Sequence, residues 1–466
     1  MNTNNIVLKS LGAAQTVTGS KHLLKTPEGN FLIDCGLFQG IKELRTKNWK
    51  DFPLDVHSIR AVILTHAHLD HCGYIPLLVK QGFTGSIYMT PPTKDLAEMI
   101  LLDSAKIQEE DAALANRYNY SKHKPALPLY TIEDAEASFR LFVTVEHSTF
   151  IKLSENVSFE FRKAGHILGA ASIVMKCFNK TIVFSGDLGR YHSSFLLPPS
   201  PLPEADIVIM ESTYGDRLHD ENDPVDQLAD VINKTVENDG NVLIPSFAVG
   251  RAQELMHLLN QLKKKNKIPH LLPVFLDSPM AADATDVLCR HDQWHKLNHK
   301  ECISVCKDVI INRNAHETKS IMIYHGSKII IAASGMLTGG RVLEYMKHFA
   351  PHENNIILLT GFQAEGTRGR DLQNEKKEIK IHGNYYPVKA KVVELSGLSA
   401  HADQKELLQW LEPLITSNSK IFLVHGEPMA LQALRSKILE QFGIEALVAK
   451  QNEEVLLFTV KNEIVV

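Results

Sequence analysis

Three histidines and one aspartate stand close together in the string HAHLDH, at His66, His68, Asp70 and His71. Such side chains are costly to bury unless every nitrogen and oxygen finds a partner. A divalent metal ion supplies that partner, and histidine with aspartate is a typical ligand set for Zn²⁺. The spacing is not that of closed structural zinc sites, and it suits two neighbouring ions better than one. The alternative is a polar loop that is merely rich in histidine.

Other acidic and imidazole side chains follow short apolar segments of the chain. Segments 61–64, 181–184, 207–210, 392–393 and 421–424 precede His66, Asp187, Glu211, His401 and His425, respectively. If these segments are buried strands, they deliver their polar residues at one common end, where ligands collect in sheets that helices cover. His166 is flanked by glycines, which let a loop approach an ion closely. A capped turn would explain any one of these placements, but hardly all five.

The elements that must position these residues change in character along the chain. Up to residue 211, short apolar runs alternate with turns, and residues 75–81 have the pattern of an amphipathic helix. Asp34 ends one of these runs, so it is a candidate for orienting a metal ligand, although a turn-forming role explains it equally well. Between residues 212 and 391, helices alternate with buried strands, which predicts a parallel α/β unit. We therefore expect one domain built from residues 1–211 and 392–466, with residues 212–391 inserted as a second domain.

Composition sets outer limits on function. With 466 residues, 44% of them hydrophobic and 22% charged, the chain is typical of a soluble globular protein of two domains. A net charge of −4 gives no global basic footprint, so a polyanionic substrate would have to be met by a local cleft and by metal. Neither a secretory signal nor a membrane-spanning run is visible, and we expect a cytoplasmic protein.

The cysteines and one basic segment admit ordinary interpretations. Six cysteines are sparse for this length and indicate a reducing compartment. Cys302 and Cys306 are four residues apart without a second pair, so we interpret them as ordinary side chains and not as a metal site. Residues 116–128 are predicted to form an irregular surface loop. Its residues Tyr118, Tyr120, Lys122, His123 and Lys124 are either simply solvated, the favoured interpretation, or in contact with a nucleic-acid strand.

On these residues, the chain resembles the metallo-β-lactamase superfamily and, within it, the β-CASP nucleases. HAHLDH is similar to the HxHxDH signature of the superfamily, and His166 and Asp187 match its later ligand positions. Glu211 in ESTYGDR, His401 in SGLSAHAD and His425 in LVHGEP resemble the three additional β-CASP motifs. The segments SFAVGRAQEL, AASGMLTGGR and GFQAEGTRGR are typical of the inserted domain. The resemblance covers nearly the whole chain.

The resemblance implies a fold and a metal-ligand set. The fold would be an α/β one, a metallo-β-lactamase αββα sandwich with an inserted parallel α/β β-CASP domain. The cofactors would be two Zn²⁺ ions per chain, and whether Mn²⁺ can replace them is left open. The first ion would be held by His66, His68 and His166, and the second by Asp70, His71 and His425, with Asp187 bridging both.

The resemblance also implies hydrolysis of phosphodiester bonds in single-stranded RNA, in RNA processing or decay. It leaves open whether cleavage is endonucleolytic only or also 5′–3′ exonucleolytic. Members that act on DNA usually have valine at the third motif, so His425 favours RNA. Relatives also suggest a homodimer.

Roles for the remaining residues follow from the same resemblance. Asp70 would steer the attacking water as well as bind metal, and His401 would be the general acid for the leaving oxygen. Glu211 would keep that imidazole oriented and protonated. Four residues on glycine-containing turns would bind RNA phosphates, namely Ser334, Gly335, Thr338 and Arg370. Simple turn chemistry is the alternative for these four.

Three rival functions stay open at this point. A hydrolase of thioesters, lactones or β-lactams would not need the inserted domain or the pair Glu211 and His401. A non-catalytic binding subunit would not need all seven ligands. A DNA nuclease would share most of the motifs and differ in substrate.

Overall fold

The computed structural model describes residues 4–119, 121–219 and 224–460. The chain divides into two compact units. The first unit holds the residues up to Ser193, Leu197–Leu218 and the residues from His401 onward. The second unit holds Ser194–Leu196 and His219–Ala400. The order of segments is that of the predicted division at residues 211 and 391, but the second unit runs nine residues further, to Ala400.

Up to residue 218, strands dominate the secondary structure. The strands are β1 (Asn5–Ser10), β2 (His22–Thr26), β3 (Gly29–Ile33), β4 (Ile59–Ile63), β5 (Ser86–Met89), β6 (Phe142–Thr144), β7 (Ile151–Lys152), β8 (Val157–Lys163), β9 (Ala171–Cys177), β10 (Lys180–Phe184) and β11 (Ile207–Met210). The helices are α1 (Lys42–Arg45), α2 (Leu69–Cys72), α3 (Ile75–Lys80), α4 (Pro91–Tyr118) and α5 (Ile132–Phe139).

Helices and strands alternate from residue 224 to residue 394. The strands are β12 (Val242–Pro245), β13 (Val274–Asp277), β14 (Ile310–Asn312), β15 (Ile329–Ala332), β16 (Ile356–Leu359), β17 (Glu378–Ile381), β18 (Asn384–Pro387) and β19 (Lys391–Glu394). The helices are α6 (Pro224–Glu237), α7 (Arg251–Lys264), α8 (Pro279–Arg290), α9 (His299–Lys307), α10 (Thr318–Ile323), α11 (Val342–Phe349) and α12 (Arg368–Gln373). The last part of the chain forms α13 (Gln404–Leu411), β20 (Lys420–Leu423), α14 (Pro428–Phe442), β21 (Leu447–Val448) and β22 (Glu454–Thr459).

The first unit is built on two sheets of seven strands. Their orders are β22-β1-β2-β3-β4-β5-β6 and β21-β20-β11-β10-β9-β8-β7. Phe31 and Ile63 of the first sheet join Phe159 and Phe184 of the second in one buried cluster. Val62 is equally buried, and successive side chains of a strand point to opposite faces, so the outer face of its sheet is covered as well. The predicted αββα sandwich is thus confirmed.

The second unit is built on a parallel sheet of six strands. Their order is β14-β13-β15-β12-β16-β19, and every neighbouring pair is parallel. Strands β12, β13 and β15 are buried along their whole length. Such continuous apolar strands are typical of parallel sheets that helices cover on both faces. The predicted parallel α/β unit is confirmed.

The expectation that five strands deliver polar residues at one common end of a sheet is wrong in part. Strands β10, β11 and β20 are parallel neighbours in one sheet, so Asp187, Glu211 and His425 do share an end. The strand before His66 belongs to the other sheet of the first unit, and the strand at residues 392–393 belongs to the second unit. An apolar run shows that a strand is buried but not which sheet it joins.

The predicted irregular loop over residues 116–128 is wrong at its start. The helix continues to Tyr118, so residues 116–118 are helical, and the irregular segment begins at Asn119, which has the left-handed backbone (φ 57°) that ends helices. Lys122, His123 and Lys124 are exposed, whereas Tyr120 lies outside the described residues.

Within the part of the chain that the structure describes, no helix is both long and apolar enough to span a bilayer.

One buried cation gives the first unit a pH-dependent stability. The ammonium of Lys21 lies 4.7 Å from the ring centre of Phe38 and 5.0 Å from that of Tyr74, and it donates a hydrogen bond to Gly36 O. Burial lowers the pKa of Lys21 to about 8. Because the unfolded chain holds this proton up to about pH 10.4, burial of the cation lowers stability fully below about pH 8, and this cost declines between about pH 8 and about pH 10.4.

We expect Lys21→Met to reveal this cost. The free energy of unfolding of the wild type should rise by about 2 kcal/mol relative to that of K21M between about pH 7 and about pH 9.5. Urea unfolding of both proteins at the two pH values measures this difference. Lys152 is exposed in the same unit, so K152M is the control and should show no such change. A constant difference between wild type and K21M would contradict the prediction.

Candidate metal centre

Residues 66–71, which we call the histidine box, lead from the end of a strand into the start of a helix. Strand β4 ends at Ile63, and α2 begins at Leu69 with His68 as its N-cap in an extended conformation. Asp70 and His71 therefore lie on the first turn of this helix. The N-terminal turn of a helix also favours the negative charge of Asp70.

The first cluster consists of His66, His68, His166 and Asp187, whose ligand atoms lie within 4.8 Å of one another. Nε2 of His66 and Nε2 of His166 are each 3.1 Å from Nδ1 of His68. The Oδ2 atom of Asp187 is 3.6 Å from His66 Nε2 and 3.7 Å from His166 Nε2. A tetrahedral zinc ion with bonds of about 2.0–2.1 Å separates its nitrogen ligands by about 3.4 Å. The cluster therefore has the dimensions of a metal site.

The second cluster consists of Asp70, His71 and His425. Nε2 of His71 is 3.2 Å from Nε2 of His425, which is 3.4 Å from Oδ2 of Asp70. His425 follows β20 and comes 354 residues after His71 in the sequence. The fold thus brings together the ligands that the resemblance implied for a second ion.

Asp187 faces both clusters. Its Oδ2 atom points to the first cluster, and its Oδ1 atom lies 3.3 Å from Nε2 of His71 in the second. This Oδ1 atom and Nδ1 of His166 are buried without a hydrogen bond. Burial would raise the pKa of Asp187, but His425, His71 and His66 together hold it well below its usual range. The carboxylate is therefore an anion with one oxygen facing each cluster, which suits a bridging ligand.

Charge in the two clusters also indicates cations. Burial lowers the pKa of His66 and His166 well below the usual value and that of His68 to about 4, so these imidazoles are neutral and offer lone pairs. His71 is different: burial opposes its protonation, but Asp187, Asp34 and Asp70 raise its pKa well above the usual value. Three carboxylates around one imidazole leave a deficit of positive charge, which divalent ions would supply.

Asp34 holds His71 from behind. Its Oδ2 atom lies 2.7 Å from Nδ1 of His71, and its Oδ1 atom accepts a hydrogen bond of 2.8 Å from the backbone N–H of Thr65. This contact fixes the ring so that Nε2 faces the second cluster. Thr213 plays a similar part for His425, because its hydroxyl lies 3.2 Å from Nδ1 of that ring. Sequence reasoning found Asp34 but missed Thr213, although Thr213 belongs to the ESTYGDR segment that was singled out.

We expect Asp34→Ala to weaken metal binding, because histidine ligands that lose their outer partner typically lose about 10- to 100-fold in affinity. Metal content after equilibration with a graded series of chelator concentrations measures the change. Asp34→Asn keeps an oxygen that can accept from His71 Nδ1–H, so D34N should fall between D34A and the wild type. Equal metal retention by all three proteins would contradict the prediction.

His401 and Glu211 lie beside the first cluster. Nδ1 of His401 is 3.2 Å from Oε1 of Glu211, and the His401 ring centre is 4.4 Å from that of His166. Glu211 is fully buried, and its carboxylate accepts hydrogen bonds from the N–H groups of Leu188 (2.6 Å) and Thr213 (3.2 Å). Burial opposes protonation of His401, but Glu211 raises its pKa. The pair is therefore a rigid carboxylate with an oriented imidazole.

Three of the four predicted phosphate-binding residues lie on the turn after β15 in the second unit, whereas Arg370 lies on a helix and not on the expected turn. Oγ of Ser334 accepts from the N–H of Thr338 at 3.0 Å and closes the turn after β15. Gly335 packs against Phe247, and a Cβ added to Gly335 would come within 2.9 Å of the backbone nitrogen of Phe247. Arg370 lies on α12, whose residue Gly369 donates from N–H to Met336 O at 3.1 Å. This hydrogen bond joins the turn that carries Ser334 to the helix that carries Arg370.

Three family models match segments of this chain. Residues 19–229 match the family model of the metallo-β-lactamase superfamily, residues 252–372 that of the Beta-Casp domain, and residues 385–449 that of the Zn-dependent metallo-hydrolase RNA specificity domain.

Several curated proteins are similar over most of the chain. Ribonuclease TTHA0252 of Thermus thermophilus is 35% identical, with 95% of this chain and 98% of that protein covered. An RNase J-like protein of Methanocaldococcus jannaschii is 33% identical over 91% of this chain and 93% of its own length. Transcription termination factor FttA of the same organism is 33% identical over 90% of this chain but only 66% of its own length. A crystal structure of a protein of unknown function from Enterococcus faecalis shares the fold, with a TM-score of 0.52 at 12% identity, covering 97% of this chain and 100% of that one.

Proposed function

Because this chain belongs to the β-CASP family of metallo-β-lactamase-fold ribonucleases, we propose that it is a zinc-dependent ribonuclease. It hydrolyses phosphodiester bonds in single-stranded RNA by cleavage within the strand. The observation that carries the proposal is the convergence of two ligand clusters on Asp187 with the pair His401 and Glu211 directly beside them. A thioesterase or lactonase would have no use for that pair.

Two zinc ions are the cofactors in this proposal. His66, His68 and His166 would hold one ion, and Asp70, His71 and His425 would hold the other, with Asp187 facing both clusters. When bound, the ions supply Lewis acidity, which makes water more acidic and offsets the negative charge of the phosphate group. Three of the four residues of the first cluster are buried. In the second cluster, His71 and His425 are buried and Asp70 is half-buried.

The chain's own residues orient the reaction and move the proton. Asp70 is an acceptor at the open side of the second cluster, where it orients the attacking water. His401 donates a proton to the leaving oxygen of the phosphodiester. Glu211 engages Nδ1 of His401 at 3.2 Å and so orients the imidazole for this proton transfer.

The second unit contributes phosphate binding in this proposal. Ser334 closes a turn that contains Gly335, and glycine-containing turns of this kind can bind anions through their backbone. Arg370 adds a guanidinium from the adjoining helix, and arginine recognises phosphate oxygens through paired N–H donors. Together they would bind phosphate groups of the RNA strand.

Parallel assays on matched single-stranded RNA and DNA, each labelled at the 5′ end, test the proposal. We expect zinc-dependent cleavage of RNA at internal positions and little cleavage of DNA. Release of labelled mononucleotides would add 5′–3′ exonuclease activity. Metal analysis of the same preparation distinguishes zinc from manganese, and light scattering tests the homodimer that the resemblance suggests. Turnover of a thioester without RNA cleavage would overturn the proposal.

A further inference from the structure

Asp277 carries a buried charge in the second unit that has no part in the proposed reaction. It ends β13, and in the parallel sheet it lies opposite Asn312 at the end of β14 and opposite Ala332 at the end of β15. Its side chain is fully buried, and an anion in such a place needs several donors around it. Residues 334–340, which we call the phosphate turn, begin two residues after Ala332. Asp277 therefore lies next to the start of this turn.

Four side chains donate hydrogen bonds to the carboxylate of Asp277. Its Oδ1 atom accepts from Nδ2 of Asn312 (2.9 Å) and from the guanidinium of Arg341 (2.5 Å). Its Oδ2 atom accepts from the hydroxyl groups of Thr318 (2.7 Å) and Tyr345 (2.6 Å). Burial and the hydrogen bond with Asp277 raise the pKa of Tyr345, which keeps its hydroxyl protonated as a donor. Both oxygens are thus satisfied, and the carboxylate is fixed in one orientation.

Two of these donors come directly after the phosphate turn. Arg341 immediately precedes α11, and Tyr345 lies one turn further along this helix. The guanidinium of Arg341 also donates to the backbone carbonyls of Asn312 (3.4 Å) and Arg313 (3.0 Å). Contacts within the protein thus hold this guanidinium on several sides. Arg341 is therefore an anchor for the end of the phosphate turn.

Other hydrogen bonds fix the shape of the phosphate turn itself. The guanidinium of Arg368 donates to Leu337 O (2.9 Å) and Thr338 O (3.3 Å). On the inside of the turn, Oγ of Ser334 accepts from the N–H groups of Thr338 (3.0 Å) and Gly339 (3.3 Å). Because the turn is closed internally, its placement depends on the elements at its two ends.

We propose that Asp277 is a positioning residue for RNA binding, because it fixes both ends of the phosphate turn at once. It lies opposite the end of β15, and it holds the start of α11 through Arg341 and Tyr345. This inference rests on the proposed function, in which the turn contacts RNA phosphates. Asp277 itself touches no RNA. Loss of one donor lets the start of α11 shift, and small displacements of positioning groups weaken recognition strongly.

Tyr345→Phe tests the proposal, because it removes one hydrogen bond from Asp277 and keeps the buried ring. Binding of a fluorescent single-stranded RNA is followed by anisotropy well below the unfolding temperature, with H401A as the background so that the RNA stays intact. We expect the added Y345F to lower the affinity about 3- to 10-fold. Without H401A, Y345F should still hydrolyse bis(p-nitrophenyl) phosphate at the wild-type rate, since this small ester does not need the phosphate turn.

Two further variants separate positioning from direct contact. Tyr324→Phe is the matched control, because it removes a phenol hydroxyl from an exposed side chain of the same unit, and it should leave RNA affinity unchanged. Arg370→Ala removes a charge that meets phosphate in the proposed function. The slope of log affinity against log salt concentration should therefore become shallower by about 0.7 in R370A. Y345F should keep the slope of its background, because it removes no charge.

Unchanged RNA affinity in Y345F would overturn the proposal. Equal losses on RNA and on the small ester would also overturn it, because Tyr345 would then be merely structural. The two proposals fail separately: if Y345F weakens RNA binding but the wild type cleaves no RNA, only the ribonuclease function falls. Thermal unfolding shows whether each variant is folded. Thr318→Val, which removes the other hydroxyl from Oδ2 of Asp277, replaces Y345F if that variant does not fold.

Discussion

Replacing His401 with alanine should abolish most RNA cleavage while leaving the metal content of the protein unchanged. A general acid typically contributes about 10²- to 10⁴-fold to rate, and we expect a loss in this range. His401 lies beside His166 but engages Glu211 through Nδ1 at 3.2 Å, and it is absent from both ligand clusters. Rates on single-stranded RNA and metal analysis of the same preparations measure both halves of the prediction.

The choice of leaving group separates a proton donor from a structural residue. A nitrophenolate leaves without protonation, so H401A should hydrolyse bis(p-nitrophenyl) phosphate at close to the wild-type rate. E211Q should show a smaller loss on RNA, because the imidazole is still present but is less well oriented. His57 is exposed in the same unit, and H57A is the control. Loss of metal from H401A would make His401 a ligand, and equal losses on both substrates would refute the role of proton donor.

Local sequence pattern predicted the metal centre as far as it did because its ligands follow buried strands. Neighbouring parallel strands end at the same edge of a sheet, so the residues that follow β10, β11 and β20 lie close together. His166 was a weaker prediction, since it comes from a loop in which only the flanking glycines pointed to close approach. The pairing of His401 with Glu211 came from the family resemblance, because their separation of 190 residues has no local signature.

The features that the sequence did not predict are those set by packing between distant segments. The contact of Thr213 with His425 depends on the register between β11 and β20, which no spacing encodes. In the second unit, α8 and α9 pack together, a contact that no spacing in the sequence indicates. Side chains at strand ends can therefore be predicted from pattern, whereas contacts between helices require the fold.

Replacing Asp187 with alanine should have the broadest effect on metal binding. Asp187 is the residue whose two carboxylate oxygens face different clusters, with Oδ2 3.6 Å from His66 Nε2 and Oδ1 3.3 Å from His71 Nε2. Without it, each cluster loses a ligand and the negative charge that offsets the second ion. We expect D187A to retain almost no metal after dialysis, measured by elemental analysis, and to lose RNA cleavage entirely.

His425→Ala is the matched comparison for D187A, because His425 also comes from a strand end of the same sheet but belongs to the second cluster alone. If the wild type holds about two ions, H425A should hold about one, with His66, His68 and His166 still in place, and D187A close to none. Removal of a buried carboxylate can also unfold a protein, so D187N, which keeps the shape and loses the charge, is measured beside D187A. Unfolding without metal loss in D187N would make Asp187 structural. Equal metal content in D187N and H425A would mean that Asp187 serves one ion and does not bridge, because a bridging carboxylate cannot be neutralised without weakening both sites.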